Sequence, residues 1–232
     1  MKLENRKEDI LEFVVRDYIK TAQPVSSGRI SQKRSSFGSP ATVRNIMLEL
    51  DDEGFLFQPH TSAGRAPTDK GYRYFVNGLS HKKSDNFQPY DTFSFFESFF
   101  VEMANELEIF VGIVSESESK AQKLVGLKNL LSRPEFLEES MFEDFGDIMD
   151  DFEDVVDEYR NALLEQDEMF NIWIGKENIY PKAKCGSTIV ARFLLPDEEK
   201  VTLFTFGPKR MDYETAINKI NSLINKNGKS KR

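Results

Sequence analysis

Cysteine and histidine are both scarce in this sequence. Cys185 is the one cysteine among 232 residues, so no disulfide can form within the chain. With two histidines beside it, the usual four-ligand structural zinc site has too few donors. We expect neither a structural metal nor a cofactor, and we expect Cys185 to be inert.

Long apolar runs are missing as well. No stretch approaches the roughly 18 uninterrupted apolar residues that a membrane span needs. The first residues, MKLENRKEDILEF, lack the apolar core and small-residue cleavage site of a signal peptide. Hydrophobic residues make up 39% of the chain and charged residues 30%, a balance typical of globular proteins. These features predict a cytoplasmic protein with no membrane partner.

Acidic residues outnumber basic ones overall, but the two signs are unevenly distributed. Residues 1–83 hold 14 Lys and Arg against 10 Asp and Glu, whereas the remainder holds 17 against 29. The local balances are therefore +4 and −12, which sum to the net charge of −8. A basic N-terminal part followed by an acidic remainder is typical of a protein that binds phosphates through its N-terminal part alone.

Helical periodicity dominates the first fifty residues. EDILEFVVRDYIK places apolar residues at helical spacing, and GRISQKR follows after Pro24 and a capping Ser26 or Ser27. SPATVRNIMLELDDEG then carries three helix signals. Ser39 is a capping residue, Pro40 sits at the first helical position, and Gly54 follows the end.

A strand pair and a fourth helix complete the first 80 residues. FLFQP is a short strand, HTSAGRAPT is a turn that returns as a second strand, and DKGYRYFVNGLS is helical. The order helix, helix, helix, strand, strand predicts a winged helix-turn-helix domain over residues 1–80.

The remainder has a different composition. Residues 81–91 are polar and predict a linker, and the basic residues 227–232 predict a frayed tail. Between them, over 92–226, we expect an α+β domain. Its expected elements are a Phe-rich helix running into a strand, a short helix ending near Pro134, one long acidic helix, three strands and a final helix. The predicted fold class is therefore α+β throughout.

The outward face of the third helix carries side chains suited to reading DNA. In a helix-turn-helix the second helix lies in the major groove. Arg44 can pair with guanine and Asn45 with adenine through two hydrogen bonds each, while Ser39 and Thr42 can reach phosphates or bases. An exposed polar helix face without any such role remains the alternative.

The turn between the two strands adds positive charge beside small residues. His60, Arg65, Lys70 and Arg73 surround the tip Ser62-Ala63-Gly64. A small tip allows the backbone to approach DNA, and Arg65 can enter a minor groove or neutralise a phosphate. An ordinary hairpin with solvated charges is the alternative here.

These segments resemble a known family. The run QPHTSAGRAPTDKGYRYFV is highly specific, and together with QPVSSGRISQKR and SPATVRNIMLELDDEG it resembles the N-terminal domain of the HrcA family of heat-inducible transcription repressors. GLKNLLSRPEF, IWIGKEN and FGPKRMDYETAINKI resemble the GAF-like part of the same family. Family members are longer near SESESKAQ, so this chain resembles a shortened member with a reduced GAF-like domain over 92–226.

The resemblance implies a function and a set of contacts. The family's repressors bind double-stranded DNA at an inverted repeat before chaperone operons as homodimers, and a GroEL-type chaperonin favours the active form. By this resemblance the DNA contacts are Ser39, Thr42, Arg44, Asn45, His60, Thr61, Ser62, Gly64 and Arg65, with Lys70 and Arg73 as further phosphate contacts. Ile46 stands where the family usually has an acidic residue, a departure that removes none of the expected base contacts.

Other functions compete with this interpretation. A regulator of other genes without chaperonin control is one alternative, because the GAF-like domain is shortened. A winged helix that serves as a protein-interaction module is another. Enzymatic activity is disfavoured, because no nucleophile and base or metal constellation stands out. The carboxylates between Asp144 and Asp157 lack an EF-hand pattern, so a solvated helix face is the expected explanation. A GAF-like body this short is not expected to keep a ligand pocket.

Overall fold

A computed structural model describes residues 3–61, 63–79, 93–117, 122–195 and 199–227. The chain folds into two compact units, Met1–Ser80 and His81–Arg232. Among the described segments, no helix is both long and apolar enough to cross a membrane. The predicted linker and basic tail lie almost entirely outside the described residues.

The first unit consists of helices followed by a short strand pair and another helix. Its elements are α1 (Asn5–Thr21), α2 (Ser27–Lys33), a 3₁₀ turn (Ser35–Phe37), α3 (Pro40–Asp52), β1 (Leu56–Phe57), β2 (Ala66–Pro67) and α4 (Asp69–Gly78). β1 and β2 pair antiparallel. The predicted order of elements in this part is thus observed.

Local capping fixes where these helices begin. The Ser26 hydroxyl accepts the Arg29 N–H at 3.2 Å, and the Thr68 hydroxyl accepts the Gly71 N–H at 3.1 Å. Each bond satisfies an amide that has no partner within its own helix. Of the two serines considered as the cap of α2, Ser26 is the one used.

The core of this unit is built from the predicted apolar stripes. α1 buries Ile10, Leu11, Val14 and Val15. α3 buries Val43, Met47 and Leu50, leaving Ile46 half-buried. Asp17, 7% exposed, accepts ion pairs from Arg29 and Lys33 at 2.8 and 3.0 Å. This buried carboxylate of α1 thereby holds α2 against α1. Because α3 follows α2 in the chain, the same contacts help to set where α3 begins.

The second unit is an α+β fold built on one antiparallel sheet. Its helices are α5 (Phe93–Leu107), α6 (Leu127–Leu131), α7 (Glu139–Asp150), α8 (Phe152–Glu165) and α9 (Tyr213–Asn227). Its strands are β3 (Phe110–Ser115), β4 (Gln122–Val125), β5 (Phe170–Ile174), β6 (Ser187–Leu194) and β7 (Lys200–Gly207). The strand order is β4-β3-β7-β6-β5.

Helices pack against this sheet and bury its aromatic residues. Phe110, Phe204 and Phe206 pack with Phe145 and Phe152 from α7 and α8. Phe100 of α5 lies 6.0 Å from Phe193 between ring centroids, and α9 also contacts β6. The Phe-rich helix α5 contributes Phe99, Phe100 and Met103 to the core, and Trp173 is buried against Tyr159.

Two expectations for this unit need correction. The single long acidic helix is two helices, α7 and α8, divided at Asp151. The Tyr180 hydroxyl donates to the Asp151 carboxylate at 2.8 Å, so a side chain distant in sequence holds the break. In addition, β4 forms an edge strand between β3 and the short helix, where the sequence analysis predicted no strand.

Candidate nucleic-acid interface

The N-terminal turn of α3 presents two hydroxyls that are bonded to each other. The Ser39 hydroxyl accepts the Thr42 N–H at 3.2 Å and lies 2.9 Å from the Thr42 hydroxyl. Ser39 is exposed and Thr42 half-buried. Both therefore already have a structural role as the helix cap, and a DNA contact would be an additional one.

Arg44 lies on the flank of α3, and Asn45 lies on the side opposite the buried stripe of Val43, Met47 and Leu50. Both are exposed, while the neighbouring residue Val43 faces the core and is fully buried. Neither side chain makes a hydrogen bond or ion pair with another residue that the structure describes. A guanidinium and a carboxamide free of internal partners retain all of their donors for base edges.

The turn between β1 and β2 is held by its own backbone. The Ala63 N–H donates to the His60 carbonyl at 2.8 Å, and the Gln58 carboxamide donates to the carbonyls of Thr61 and Ala63, both at 2.9 Å. His60 and Thr61 are exposed. Ser62, the predicted contact at the tip, lies outside the described residues.

Gly64 has a packing reason to be glycine. A Cβ at this position would lie 2.3 Å from the Val25 carbonyl carbon and oxygen. Val25 and Arg65 exchange two backbone hydrogen bonds of 2.9 Å here, joining the start of β2 to the segment before α2. The structure thus gives Gly64 a close approach inside the unit, and the approach to DNA that the sequence suggested stays a prediction.

Arg65 is engaged within the fold. Its Nε lies 2.7 Å from Oδ2 of Asp51 at the end of α3, and its side chain is 12% exposed. The contact to DNA expected of Arg65 would require this ion pair to open or to be shared, because a guanidinium retains further donors. The DNA contact of Arg65 therefore stays a prediction, and it is less direct than the contact predicted for Arg44.

Lys70 and Arg73 of α4 lie away from the N-terminal turn of α3. Lys70 donates to the Glu53 carbonyl at 2.7 Å and covers the Phe55 ring at 4.3 Å, so it sits just beyond the C-terminal end of α3. α3 is about 20 Å long at the usual rise per residue. Arg73 is half-buried and makes interactions of its own. Any phosphate contact from these two residues would lie at the opposite end of α3 from Ser39.

Two arginines that the sequence did not single out lie beside the start of α3. The Arg6 guanidinium donates to the Phe37 carbonyl at 2.6 Å, and the Arg34 guanidinium lies 5.5 Å from the centroid of the Phe37 ring. Both are exposed. No spacing rule could have found them, because Arg6 reaches this turn only once α1 packs across the unit.

The second unit offers weaker candidates. Burial raises the pKa of the Cys185 thiol to about 11, which keeps the thiol protonated and unreactive. Lys182 lies 3.3 and 2.9 Å from Asp144 and Asp147, so part of the acidic surface is neutralised within the fold. In the part of the chain that the structure describes, no group of three or more acidic, His or Cys side chains is placed to hold a metal ion.

Comparison with known proteins decides the family. A model of the HrcA protein C-terminal domain matches residues 79–217, more than half of the chain. The chain belongs to the HrcA family. The shortened HrcA-like body expected from the sequence agrees with this match.

Curated HrcA relatives share stretches of high identity. The heat-inducible transcription repressor HrcA of Bifidobacterium animalis subsp. lactis is 59% identical over 75 residues, which are 32% of this chain and 20% of that protein. The protein of the same name from Pelotomaculum thermopropionicum is 49% identical over 83 residues, 36% of this chain and 24% of that protein. The matches thus span less than a quarter of the length of these relatives, whose names describe repressors rather than enzymes.

A solved structure shares the whole fold. A hypothetical protein with a crystal structure at 2.2 Å resolution aligns with a TM-score of 0.76, covering 97% of each chain at 19% identity. At that identity the likeness supports the fold of this HrcA-family chain and says nothing of its activity.

Proposed function

We propose that this chain is a transcriptional repressor that binds an inverted-repeat operator of chaperone genes. Residues 1–80 would be a winged helix-turn-helix domain, with α2 and α3 as the helix-turn-helix and residues 55–67 as the wing. The observation that carries the proposal is α3. Its apolar stripe is buried, its start is fixed by Ser39, and its outward face presents Arg44 and Asn45 free of described internal partners.

The strand pair supports the winged-helix assignment. β2 pairs with β1, and Arg65, the residue just before β2, pairs with Val25, so the base of the proposed wing is tied to the segment that precedes α2. In the proposed complex α3 occupies a major groove while His60 and Thr61 at the wing reach the flanking backbone. Binding would block transcription sterically, with no chemical step.

The second unit would supply dimerisation and regulation. Its five-stranded antiparallel sheet with packed helices is consistent with the GAF-like domain that the sequence suggested over residues 92–226. We propose that it forms a homodimer, since an inverted repeat presents two equivalent half-sites. Control by a GroEL-type chaperonin is part of the same proposal and rests on the family alone.

A binding titration tests the proposal. The full chain is titrated with a duplex carrying the family's inverted repeat and with a scrambled duplex, each at two salt concentrations. Specific binding should exceed non-specific binding by about a thousandfold or more, and both should weaken with salt. Equal binding to the two duplexes would favour a regulator of other genes. Absence of binding to either would contradict the proposal and favour a protein-interaction module.

A further inference from the structure

Carboxylates of the first unit hold five of its cations in place. Ion pairs between 2.7 and 3.0 Å engage Lys7, Arg16, Arg29, Lys33 and Arg65. Lys70 caps the end of α3, and Arg73 has interactions as well. These side chains serve the fold, and an anion bound to any of them would compete with a partner already present.

Besides Lys70, which bonds a backbone carbonyl, four cations in the described part of this unit have no carboxylate partner. They are Arg6, Lys20, Arg34 and Arg44, all exposed. Lys20 lies in the last turn of α1, at the opposite end of that helix from Arg6. The other three converge on one place, because Arg6 and Arg34 both contact Phe37, just before α3, and Arg44 follows in the first turns of α3.

The turn before α3 is shaped to hold Arg6 across it. Gly38 has φ +94, and a Cβ at this position would lie 2.6 Å from an Arg6 guanidinium nitrogen. Any larger residue would displace the arginine. Arg34, by contrast, lies over the face of the Phe37 ring, a geometry in which the guanidinium is attracted to the ring while its edge remains available for hydrogen bonds.

We propose that Arg6 and Arg34 bind DNA phosphates beside the groove that α3 enters, and that they position α3 for base reading by Arg44. This inference rests on the proposed function and deepens it. A guanidinium keeps several donors after one internal bond, so Arg6 can hold the Phe37 carbonyl and a phosphate at the same time. The two arginines would add affinity that does not depend on base sequence.

The test compares charge-removing variants of the full chain with a matched control. Arg6→Gln and Arg34→Gln each remove one charge from the cluster, and Lys20→Gln removes one exposed, unpaired charge from the other end of α1. Each protein is titrated with the inverted-repeat duplex and the scrambled duplex over a salt series. Arg6→Lys and Arg34→Lys keep the charge and show whether any loss comes from local unfolding.

The expected result is a less steep salt dependence for both glutamine variants. Losing one phosphate contact lowers the slope of log K against log salt by about 0.9 for each bound protomer. Between about 50 and about 200 mM salt, the loss of affinity should then be smaller than that of the unchanged chain by roughly threefold for each bound protomer, or roughly tenfold for two protomers on one operator. Both duplexes should be affected equally, and Lys20→Gln and the lysine variants should keep the original slope.

Two outcomes contradict different claims. If the unchanged chain prefers the inverted repeat but Arg6→Gln and Arg34→Gln keep its slope, the phosphate contacts are wrong while the repressor proposal stands. The phosphate contacts are equally wrong if Lys20→Gln lowers the slope as much as the arginine variants do. If the unchanged chain binds neither duplex, the repressor proposal fails and the inference fails with it.

Discussion

Gly64 shows that a residue in the most recognisable stretch of the sequence can have a reason within the fold for its identity, while its contact with DNA stays a prediction. Its family motif and its place near the wing tip suggested close approach to DNA, yet the nearest atoms belong to the Val25 backbone. The sequence could identify the glycine as required. It could not supply the reason, because the contact joins segments that are distant along the chain.

Replacing Gly64 with alanine should destabilise the first unit. The added methyl would overlap the Val25 carbonyl group, and relieving the overlap means moving β2 away from the segment before α2. We expect Gly64→Ala to lower the free energy of unfolding by about 2 kcal/mol, as overpacking usually does. Thermal or urea unfolding of the full chain measures the change.

Gly28→Ala is the control for that substitution. A Cβ at Gly28 approaches no described atom closer than the Ser26 hydroxyl at 4.0 Å, and alanine is the better helix former within α2. We expect no loss, or a gain of up to about 1 kcal/mol. An equal loss at both positions would show that the Val25 contact does not explain Gly64.

At the scale of elements, the helix boundaries that depend on neighbouring residues could be predicted from the sequence. The features that depend on tertiary contacts could not. Ser39, Pro40 and Gly54 marked α3 correctly, because capping depends on neighbours in sequence. The division of the acidic helix at Asp151 could not be predicted, since the apolar stripe continues from Ile148 through Phe152 without interruption. The same limit hid Arg6, whose partner Phe37 lies in another element.

A charge pair ties three strands of the second unit together. Arg192 of β6 donates two hydrogen bonds of 2.8 and 2.7 Å to Glu116, which follows β3, and the Thr202 hydroxyl of β7 donates a third at 3.0 Å. Burial opposes ionisation of this carboxyl, but the bonds from Arg192 and Thr202 prevail and lower the pKa of Glu116 below its ordinary value of 4.5.

The lowered pKa predicts a pH-dependent effect of Glu116→Gln. A carboxyl whose pKa is lower in the folded chain contributes stability above its ordinary pKa and loses it as pH falls through the folded value. At pH 7 we expect Glu116→Gln to lower the free energy of unfolding by about 2 kcal/mol. The difference from the unchanged chain should shrink as the pH falls below 4.5.

Urea unfolding at several pH values measures this difference. Glu143→Gln, which neutralises an exposed carboxylate on α7, serves as the control and should have little effect at any pH. A loss for Glu116→Gln that stays constant into the acid range would show that the ionised pair is not its source.

At the scale of the whole molecule, the uneven charge agrees with a division of labour. The first 83 residues carry a balance of +4 and the remainder −12, a distribution that favours phosphate binding by the first part of the chain. One winged helix offers few base contacts, and two of them on an inverted repeat add their binding free energies. We therefore expect two chains to bind each operator.

Scrambling one half-site should reveal that stoichiometry. Affinity for the half-scrambled duplex should fall by about a hundredfold or more, because several matched base pairs are lost together. Sedimentation of the protein with each duplex counts the bound chains. One chain per duplex, together with equal affinity for the intact and half-scrambled repeats, would contradict a dimeric repressor.

The most direct test of the account is base discrimination by Arg44. The unchanged chain and Arg44→Ala are titrated against the inverted repeat and a set of duplexes with single base-pair changes, with Lys20→Ala as a control. Loss of a guanine contact is worth about 1–3 kcal/mol at one position. We predict that Arg44→Ala alone loses discrimination at one symmetric position in each half-site. Discrimination unchanged at every position would contradict the claim that α3 reads the operator through Arg44.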